Sequence, residues 1–348
     1  MADKNDLVLV TGGSGFLGSH CIIALLAQNY RVRTTVRKLN RADEVRTMLR
    51  HGGVAESQAA SVEFVALDLL KDDGWTEACQ GCKYVLHVAS PFPPGAPKHE
   101  DELIVPAREG TLRALRAAKA SGCVKRVVVT SSFASIGYGY PVRKEPFTEK
   151  DWTVVEGESA YVKSKTIAEK AAWDFIEKEN PDSALELATV NPVMIYGPVL
   201  GKDYASSILM VTKLMKGEMP GLPQISFGCV DVRDVADLHI RAMINPKGNG
   251  ERFLAITDDG FLEIKEMAIK LKERLGVKAN KVTTRVMPNF VLRIAGFFDP
   301  AVKLVVPELG KPKNATNAKA KELLDWQPRS ASDTLEATAL SLEKFNLL

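Results

Sequence analysis

The sequence lacks the features of a membrane protein. Its apolar stretches are all shorter than the ~20 residues that span a bilayer. The first six residues, MADKND, are polar and acidic and do not resemble a secretion signal. We therefore predict a cytoplasmic protein with no membrane partner.

A surplus of basic residues is also missing. The 46 Lys and Arg side chains nearly balance the 43 Asp and Glu side chains, which leaves a net charge of +3. Binding to a phosphate backbone normally requires a clustered basic surplus. Nucleic acid is therefore not an expected partner.

Cysteine is too scarce and too scattered for a disulfide framework. The chain has five cysteines, an odd number, and its length provides a core that needs no cross-links. Cys79 and Cys82 form a C-x-x-C motif, but no second pair or histidine cluster completes a zinc site. We predict buried or idle thiols and no metal.

The composition and patterning are those of a folded α/β protein. The 348 residues are 45% hydrophobic and 26% charged, which suits one large domain or two small ones. Up to residue 191, apolar runs of strand length alternate with longer amphipathic stretches, as in repeated β-α-β units. We predict a doubly wound parallel sheet of the Rossmann type. Its strands are expected at 7–11, 31–36, 62–67, 84–88, 127–131 and 185–191, and its helices at 16–28, 41–50, 74–80, 103–120 and 159–179.

Beyond residue 191 the alternation is interrupted by prolines and glycines. We expect helices at 205–216 and 231–244, a strand at 251–256 that rejoins the sheet, and helices from 262 onward. These elements predict two discontinuous domains. Residues 1–191 with 225–258 would form a dinucleotide-binding domain, and residues 192–224 with 259–348 a smaller, mainly helical substrate-binding lobe.

A glycine-rich motif follows the first predicted strand. Residues 11–18, TGGSGFLG, satisfy G-x-G-x-x-G and precede a predicted helix. Glycines at these positions let a pyrophosphate approach bare backbone N–H groups at a helix N-terminus, where the helix dipole favours negative charge. The position of the motif within a β-α-β unit predicts a dinucleotide site.

The end of the second predicted strand indicates which dinucleotide. An NAD site normally has Asp or Glu there, about 20 residues beyond the glycines, but this chain has Arg37, with Arg33, Lys38 and Arg41 nearby. A charge-assisted bond contributes about 1.5 to 3 kcal/mol, so guanidinium contacts to a 2'-phosphate could give at least tenfold preference. We predict NADP(H) as cofactor; the alternative is a solvated set of surface charges.

Tyr161 and Lys165 open a predicted helix, one turn apart on the same face. Reducing a carbonyl leaves an alkoxide that needs a proton, and a phenol with a pKa near 10 is a poor donor at neutral pH. A positive charge about 4 Å away contributes on the order of 4 kcal/mol at an effective dielectric of 20. We therefore expect Lys165 to lower the pKa of Tyr161.

Two adjacent serines, Ser131 and Ser132, follow the fifth predicted strand. Ligands of doubly wound sheets collect outside the carboxyl ends of the strands, and a hydroxyl there can stabilise the developing negative charge of a substrate carbonyl. The sequence does not decide which of the two serines does so.

At this point the chain resembles the extended short-chain dehydrogenase/reductases. Within that family it is most similar to the branch of dihydroflavonol, anthocyanidin and cinnamoyl-CoA reductases and microbial aldehyde and ketone reductases of the methylglyoxal reductase kind. The resemblance rests on residues 11–18 (TGGSGFLG), 87–91 (HVASP), 129–132 (VTSS), Tyr161 with Lys165, 191–198 (NPVMIYGP) and 230–235 (VDVRDV).

The resemblance implies a role for each matching residue. Ser132 would be the catalytic serine, Tyr161 the acid, and Lys165 the group that lowers its pKa and holds the nicotinamide ribose. The implied cofactor contacts are Gly12, Ser14, Gly15, Phe16, Leu17, Gly18, Arg37, Arg41, Asp68, Leu69, Val88, Ala89, Ser90, Tyr161, Lys165, Pro192, Val193, Met194 and Ser207. The implied substrate contacts are Phe92, Ser132, Phe133 and Tyr161.

Two departures from the branch favour the microbial carbonyl reductases. Residues 158–162, ESAYV, replace the cinnamoyl-CoA reductase signature Asn-Trp-Tyr-Cys-Tyr, and Gly137 stands where dihydroflavonol reductases usually carry Asn or Asp. We expect an NADPH-dependent reductase of a small or medium, partly apolar aldehyde or ketone, active as a monomer or homodimer.

Three alternatives remain at this point. The first is a dihydroflavonol-type reductase. The second is an NAD-dependent sugar-nucleotide epimerase or hydroxysteroid dehydrogenase, against which Arg37 argues. The third is a non-catalytic NADP-binding sensor, whose relatives often lose the Tyr and Lys that this chain keeps.

Overall fold

The computed structural model describes residues 5–91, 97–179, 184–202, 205–295, 297 and 306–348. The strands in these residues are β1 (Leu7–Thr11), β2 (Arg31–Val36), β3 (Glu63–Ala66), β4 (Cys82–His87), β5 (Arg126–Thr130), β6 (Glu186–Pro192), β7 (Met194–Tyr196), β8 (Ser226–Asp231), β9 (Glu251–Ala255) and β10 (Phe261–Glu263). The helices are α1 (Phe16–Ala27), α2 (Ala42–His51), α3 (Glu56–Ala60), α4 (Trp75–Cys79), α5 (Asp101–Ser121), α6 (Ala160–Asp174), α7 (Ile208–Lys216), α8 (Val232–Ile244), α9 (Ile264–Leu275), α10 (Asn289–Ala295), α11 (Ala318–Leu324) and α12 (Ala331–Lys344). None of these helices is long and apolar enough to cross a bilayer.

Seven strands form one sheet in the order β3-β2-β1-β4-β5-β6-β9. Every neighbouring pair in this sheet is parallel. The chain runs outward from β1 to β3, returns to the other side of β1 and continues from β4 to β9. The reversal opens a crevice beside β1 at the carboxyl edge of the sheet. The predicted doubly wound fold is confirmed.

Apolar side chains cover both faces of the sheet. Successive residues of a strand point to opposite faces. On β1, Val8 and Val10 belong to the same buried cluster as Ile22 of α1 and residues of α8. The alternate residue, Leu9, belongs to a second cluster with side chains of α5 and α6. Burial on both faces explains why β1 is an unbroken apolar run in the sequence.

The register of the sheet aligns the strand ends that carry the site. Thr11 at the end of β1 pairs with His87 at the end of β4, and His87 pairs with Val129 of β5. Thr130 in turn pairs with Val190 of β6. The residues that follow these strands therefore emerge side by side along one edge.

Several elements differ from the predicted ones. Strands β7, β8 and β10 were not predicted, yet they form a second sheet in the order β10-β8-β7. Two of them have only three residues, too few to show a strand periodicity. Helix α6 ends at Asp174, and residues Phe175–Glu179 continue it as a π-helical turn.

The C-x-x-C motif is buried beside β4. Cys79 and Cys82 are both fully buried free thiols. Burial raises the pKa of Cys79 to about 12 and that of Cys82 to about 11. Both thiols therefore stay protonated at neutral pH, when a thiol is a weak nucleophile and metal ligand.

Candidate functional site

The glycine motif forms the turn between β1 and α1. Gly12 has a φ of 76°, in the left-handed region that glycine adopts without steric cost. Its N–H donates to Thr35 Oγ1 at 3.0 Å, and its carbonyl oxygen accepts from Gly15 N at 2.9 Å. A Cβ on Gly18 would lie 2.2 Å from that carbonyl oxygen. Helix α1 can approach the turn this closely only because residue 18 is glycine.

The N-terminus of α1 is open to a ligand. Gly15 is its N-cap, its first turn contains no acidic residue, and no side chain of the described residues caps it. The first N–H groups of a helix lack partners within the helix, and the dipole attracts anions there. Phe16 and Leu17 pack into the core, so only their backbone is available. The turn, including the half-buried Ser14, fits the diphosphate of a dinucleotide.

The cationic residues near the end of β2 have different surroundings. Arg37 is exposed and has no hydrogen-bond or ion-pair partner among the described residues. Arg41 donates from Nε and Nη2 to the carboxylate of Glu44 at 2.9 and 2.8 Å. These hydrogen bonds hold the pKa of Glu44 below its usual value. Arg37 is therefore the more available partner for an anion.

Arg33 does not join this group, contrary to the prediction. It lies opposite Glu63 of β3 in the sheet register and forms an ion pair with it at 2.7 Å. Its Nη1 also donates to the carbonyl oxygens of Ala78 and Gln80. The ion pair with Glu63 and the hydrogen bonds to these two carbonyl oxygens indicate that Arg33 has a structural role.

The residues after β3 and β4 lie along the carboxyl edge. Asp68 Oδ1 accepts from Leu70 N at 3.0 Å, which shapes the turn that also holds Leu69. Ala89 N donates to Thr11 Oγ1 at 3.0 Å and so joins the loop after β4 to the end of β1. Its neighbours Val88 and Ser90 are half-buried.

The structure separates the two serines after β5. Ser131 is 5% exposed and donates to the buried carboxylate of Glu169. Ser132 is half-buried and forms a side-chain hydrogen bond with Tyr161. Its Oγ also accepts from Ala134 N at 3.1 Å, at the start of the 3₁₀ turn Phe133–Ser135. Ser132 is thus the hydroxyl beside the phenol.

Tyr161 and Lys165 lie one turn apart on α6, but their electrostatics differ from the expected ones. Desolvation raises the pKa of Tyr161 above its usual value, and the Ser132 hydroxyl partly offsets this rise. Lys165 Nζ donates to Ser90 Oγ at 3.0 Å. Burial lowers the pKa of Lys165 to about 8. The expected lowering of the Tyr161 pKa by Lys165 is not found: desolvation of the phenol has the larger effect, although Tyr161 as a whole is 38% exposed.

The segment after β6 contributes the remaining predicted cofactor contacts. Pro192 ends β6, Met194 begins β7, and the N–H of Val193 between them donates to the carbonyl oxygen of Ala255 at 3.2 Å. Ser207 precedes α7 and donates to the carbonyl oxygen of Ile195. The hydrogen bond holds the start of α7 against β7.

The predicted substrate residues are only partly described. Phe92 lies outside the described residues. Phe133 is 4% exposed, and its ring packs edge-on against Phe261, Phe147 and Tyr138 with centroids 5.1, 5.7 and 6.0 Å away. These rings form an aromatic cluster directly after the Ser132 turn.

Residues 8–255 match the model of the NAD dependent epimerase/dehydratase family. The chain belongs to this family. The predicted membership of the extended short-chain dehydrogenase/reductases is thereby confirmed.

Several proteins that are similar in sequence to this chain carry the name of a reductase. A cinnamoyl-CoA reductase of Medicago truncatula is 34% identical over 259 residues, which cover 73% of this chain and 77% of that protein. An NADPH-dependent methylglyoxal reductase of Saccharomyces cerevisiae is 29% identical over 372 residues, 97% of this chain and 98% of that protein. The crystal structure of yeast methylglyoxal/isovaleraldehyde reductase complexed with NADPH superposes with a TM-score of 0.80 at 26% identity, covering 98% of this chain and 100% of that one.

Two polar residues of the candidate site were not predicted from the sequence. Glu169 is buried one turn beyond Lys165, and Asn191 at the end of β6 donates to its carboxylate at 2.7 Å. The sequence signal for Glu169 is its spacing: Tyr161, Lys165 and Glu169 recur every four residues along α6. Asn191 carries no such local signal, because its contacts come from other elements.

Proposed function

We propose that this protein is an NADPH-dependent carbonyl reductase that converts an aldehyde or ketone to an alcohol, with Tyr161 as the proton donor. The family match and the named reductases confirm the oxidoreductase class and the use of NADP(H). The proposal concerns the residues that act and the kind of substrate.

The observation that carries the proposal is the proximity of the Ser132 side chain to the Tyr161 phenol at the carboxyl end of β5, close enough to oppose the rise in the pKa of Tyr161. It places a phenol and a hydroxyl together where a substrate oxygen can contact both. Lys165 lies one turn along α6 and binds Ser90 after β4. Together with Ser90, these groups come from three parts of the fold, α6 and the residues that follow β4 and β5, which meet beside the crevice.

The chemistry of these groups suits carbonyl reduction. Bound NADPH supplies the hydride that reaches the carbonyl carbon. Ser132 Oγ donates a hydrogen bond to the substrate oxygen as negative charge develops. Tyr161 then donates its proton to that oxygen, and this transfer is favourable despite the raised pKa of the phenol because an alkoxide is a stronger base than a phenolate. The ammonium of Lys165 stabilises the phenolate that remains.

The proposed cofactor contacts lie along the carboxyl edge of the sheet. The backbone of Gly12, Gly15 and Gly18 would hold the diphosphate at the N-terminus of α1. Arg37 and Arg41 would bind the 2'-phosphate, and the remaining implied contacts lie in the turns after β3 and β4 and between the end of β6 and the start of α7. These are Asp68, Leu69, Val88, Ala89, Ser90, Pro192, Val193, Met194 and Ser207.

The aromatic cluster supports a partly apolar substrate. Two cations contact it, but both are already paired: Lys313 with Glu308 at 2.7 Å, and Arg143 with Asp151 at 2.9 Å. Neither charge is available as a clamp for an anionic substrate. We therefore infer a small or medium, uncharged aldehyde or ketone.

The test is NADPH oxidation with a panel of aldehydes, diketones, dihydroflavonols and CoA thioesters, with NADH in parallel. We expect turnover of small carbonyl compounds with NADPH. Tyr161→Phe should lower kcat by a factor on the order of 10² to 10⁴, because the general acid is lost.

The matched control is Tyr30→Phe, which removes a phenol from the core. It should leave kcat unchanged. Full turnover by Tyr161→Phe would contradict the proton donor, and a preference for NADH would contradict the role of Arg37.

A further inference from the structure

Glu169 is the third member of a line of residues along α6. It follows Lys165 by one turn and Tyr161 by two, and it is 1% exposed. A carboxylate buried this deeply is costly unless several donors satisfy it. Its partners therefore indicate what it holds in place.

The donors to Glu169 come from four other elements of the site. Oε2 accepts from Asn191 Nδ2 at 2.7 Å and from the hydroxyls of Ser131 and Ser135. Oε1 accepts from Arg252 Nε of β9 at 2.6 Å and from Thr189 Oγ1 of β6 at 3.1 Å. One carboxylate thus joins α6 to the end of β5, the 3₁₀ turn, β6 and β9.

A chain of hydrogen bonds leads from Glu169 to Ser132. The Ser135 hydroxyl lies within hydrogen-bond distance of both the carboxylate and the carbonyl oxygen of Ser132, 2.7 Å from the latter, and its single proton is shared between these two acceptors. Asn191 donates to the same carbonyl oxygen at 3.4 Å. The backbone carbonyl of Ser132 is therefore held by Ser135 and Asn191, while its side chain faces Tyr161.

Glu169 also faces Lys165. Both side chains line a cavity of about 20 Å³ together with His87 of β4, Ser90 and Ser131. The residues of α5 in this cavity carry no charge. Burial lowers the pKa of His87 to about 4, so that ring is neutral at neutral pH.

The charge of Glu169 opposes the effect of burial on Lys165 and favours its ammonium form. Behind Glu169 lies Arg252, whose guanidinium pairs with the carboxylate. A neutral side chain at position 169 would remove the negative charge that both Lys165 and Arg252 now interact with.

On these contacts, and resting on the proposed function, we propose that Glu169 is a positioning residue of the reductase site. Its carboxylate fixes the Ser132 backbone through Ser135 and Asn191, and its negative charge keeps Lys165 in the ammonium form. A purely structural residue would do neither.

The decisive variant is Glu169→Gln, which keeps the size of the side chain and removes its charge. In the folded variant we expect kcat to fall by a factor on the order of 10 to 100, because Ser132 is misplaced. The basic limb of the pH profile should move down by about one pH unit, because Lys165 loses the neighbouring negative charge. NADPH turnover across pH and thermal denaturation give both readouts.

The matched control is Asp234→Asn. Asp234 is also buried and paired with an arginine, Arg329, but it lies on α8 and has no hydrogen bond to the serines or Lys165. This variant should lose stability and keep the wild-type pH profile. An unchanged basic limb in folded Glu169→Gln overturns the inference, whatever happens to kcat.

Ser135→Ala tests the hydrogen-bond route if Glu169→Gln does not fold. It should lower kcat severalfold without moving the basic limb, because the charge of Glu169 remains. A wild-type kcat for Ser135→Ala overturns the positioning role. If the wild-type protein itself reduces no carbonyl, the proposed function fails, whereas wild-type turnover with unaffected variants rejects only the role of Glu169.

Discussion

Lys165 Nζ donates to Ser90 Oγ at 3.0 Å, which joins helix α6 to the loop after β4. The ammonium therefore lies between the phenol-bearing helix and the edge of the sheet. Its burial, and not a direct contact with the phenol, dominates its electrostatics. The pH dependence of the enzyme should follow from this position.

We expect the rate of carbonyl reduction to fall as the pH rises through about 8. The sign follows from the pKa of Lys165, which burial lowers to about 8, so the ammonium is lost above that pH. Deprotonation of Tyr161 does not cause this fall in rate, the basic limb of the pH profile, because the pKa of Tyr161 is raised. Lys165→Arg should move the limb upward, because a guanidinium stays charged. The measurement is kcat/KM for NADPH oxidation across pH.

Lys163→Arg is the control for this substitution. Lys163 lies on the same helix and pairs with Glu100 at 2.6 Å, away from Ser90. Its pH profile should match the wild type. A limb that stays in place in Lys165→Arg would show that another group controls it.

Arg37→Ser should weaken the preference for NADPH. Arg37 is the exposed cation at the end of β2 without a partner among the described residues. Losing one charge-assisted bond of about 1.5 to 3 kcal/mol should lower kcat/KM for NADPH at least about tenfold. The value for NADH should change little, since NADH has no 2'-phosphate. Steady-state kinetics with both cofactors measure the ratio.

Glu44→Gln should strengthen NADPH binding, the opposite of the effect expected for Arg37→Ser. It frees Arg41 from the carboxylate that it now binds at 2.8 Å. Because exposed ion pairs contribute less than about 1 kcal/mol, KM for NADPH should fall by about two- to fivefold. An increase in KM would contradict a role for Arg41 in phosphate binding.

Gly137→Asn should destabilise the protein. A Cβ at this position would lie 2.1 Å from Cζ of Phe133, and that ring is confined by Phe147, Tyr138 and Phe261. Overpacking of this kind costs about 1 to 3 kcal/mol of unfolding free energy. Urea denaturation measures it.

The Phe133→Leu background tests the cause. A shorter side chain makes room, so Gly137→Asn should cost at least about 0.5 kcal/mol less there than in the wild type. Equal costs in the two backgrounds would show that the ring is not the obstacle.

The predictable part of the fold consists of the elements with strong local patterns. Strand β1 has the predicted bounds, Leu7–Thr11, because a strand buried on both faces needs a continuous apolar run, here residues 7–10, which Thr11 ends. Strand β10, with three residues, has no such pattern. It forms because β8 supplies hydrogen-bond partners from a distant part of the chain.

The candidate site likewise contains features that the sequence could predict and features that it could not. Tyr161 and Lys165 could be paired from their spacing on one helix face. Ser131 and Ser132 could not be distinguished, because their difference lies in the partners that surround them, Glu169 for one and Tyr161 for the other.

By itself the sequence determined the parallel sheet, the glycine turn before α1 and the helical spacing of Tyr161 and Lys165, because each depends on residues close together in the chain. Only the tertiary structure decided that Arg33 is held by Glu63, that Glu169 lies behind the serines, and that the pKa of Tyr161 is raised. These properties depend on burial and on partners from distant segments, which come together only when the chain has folded.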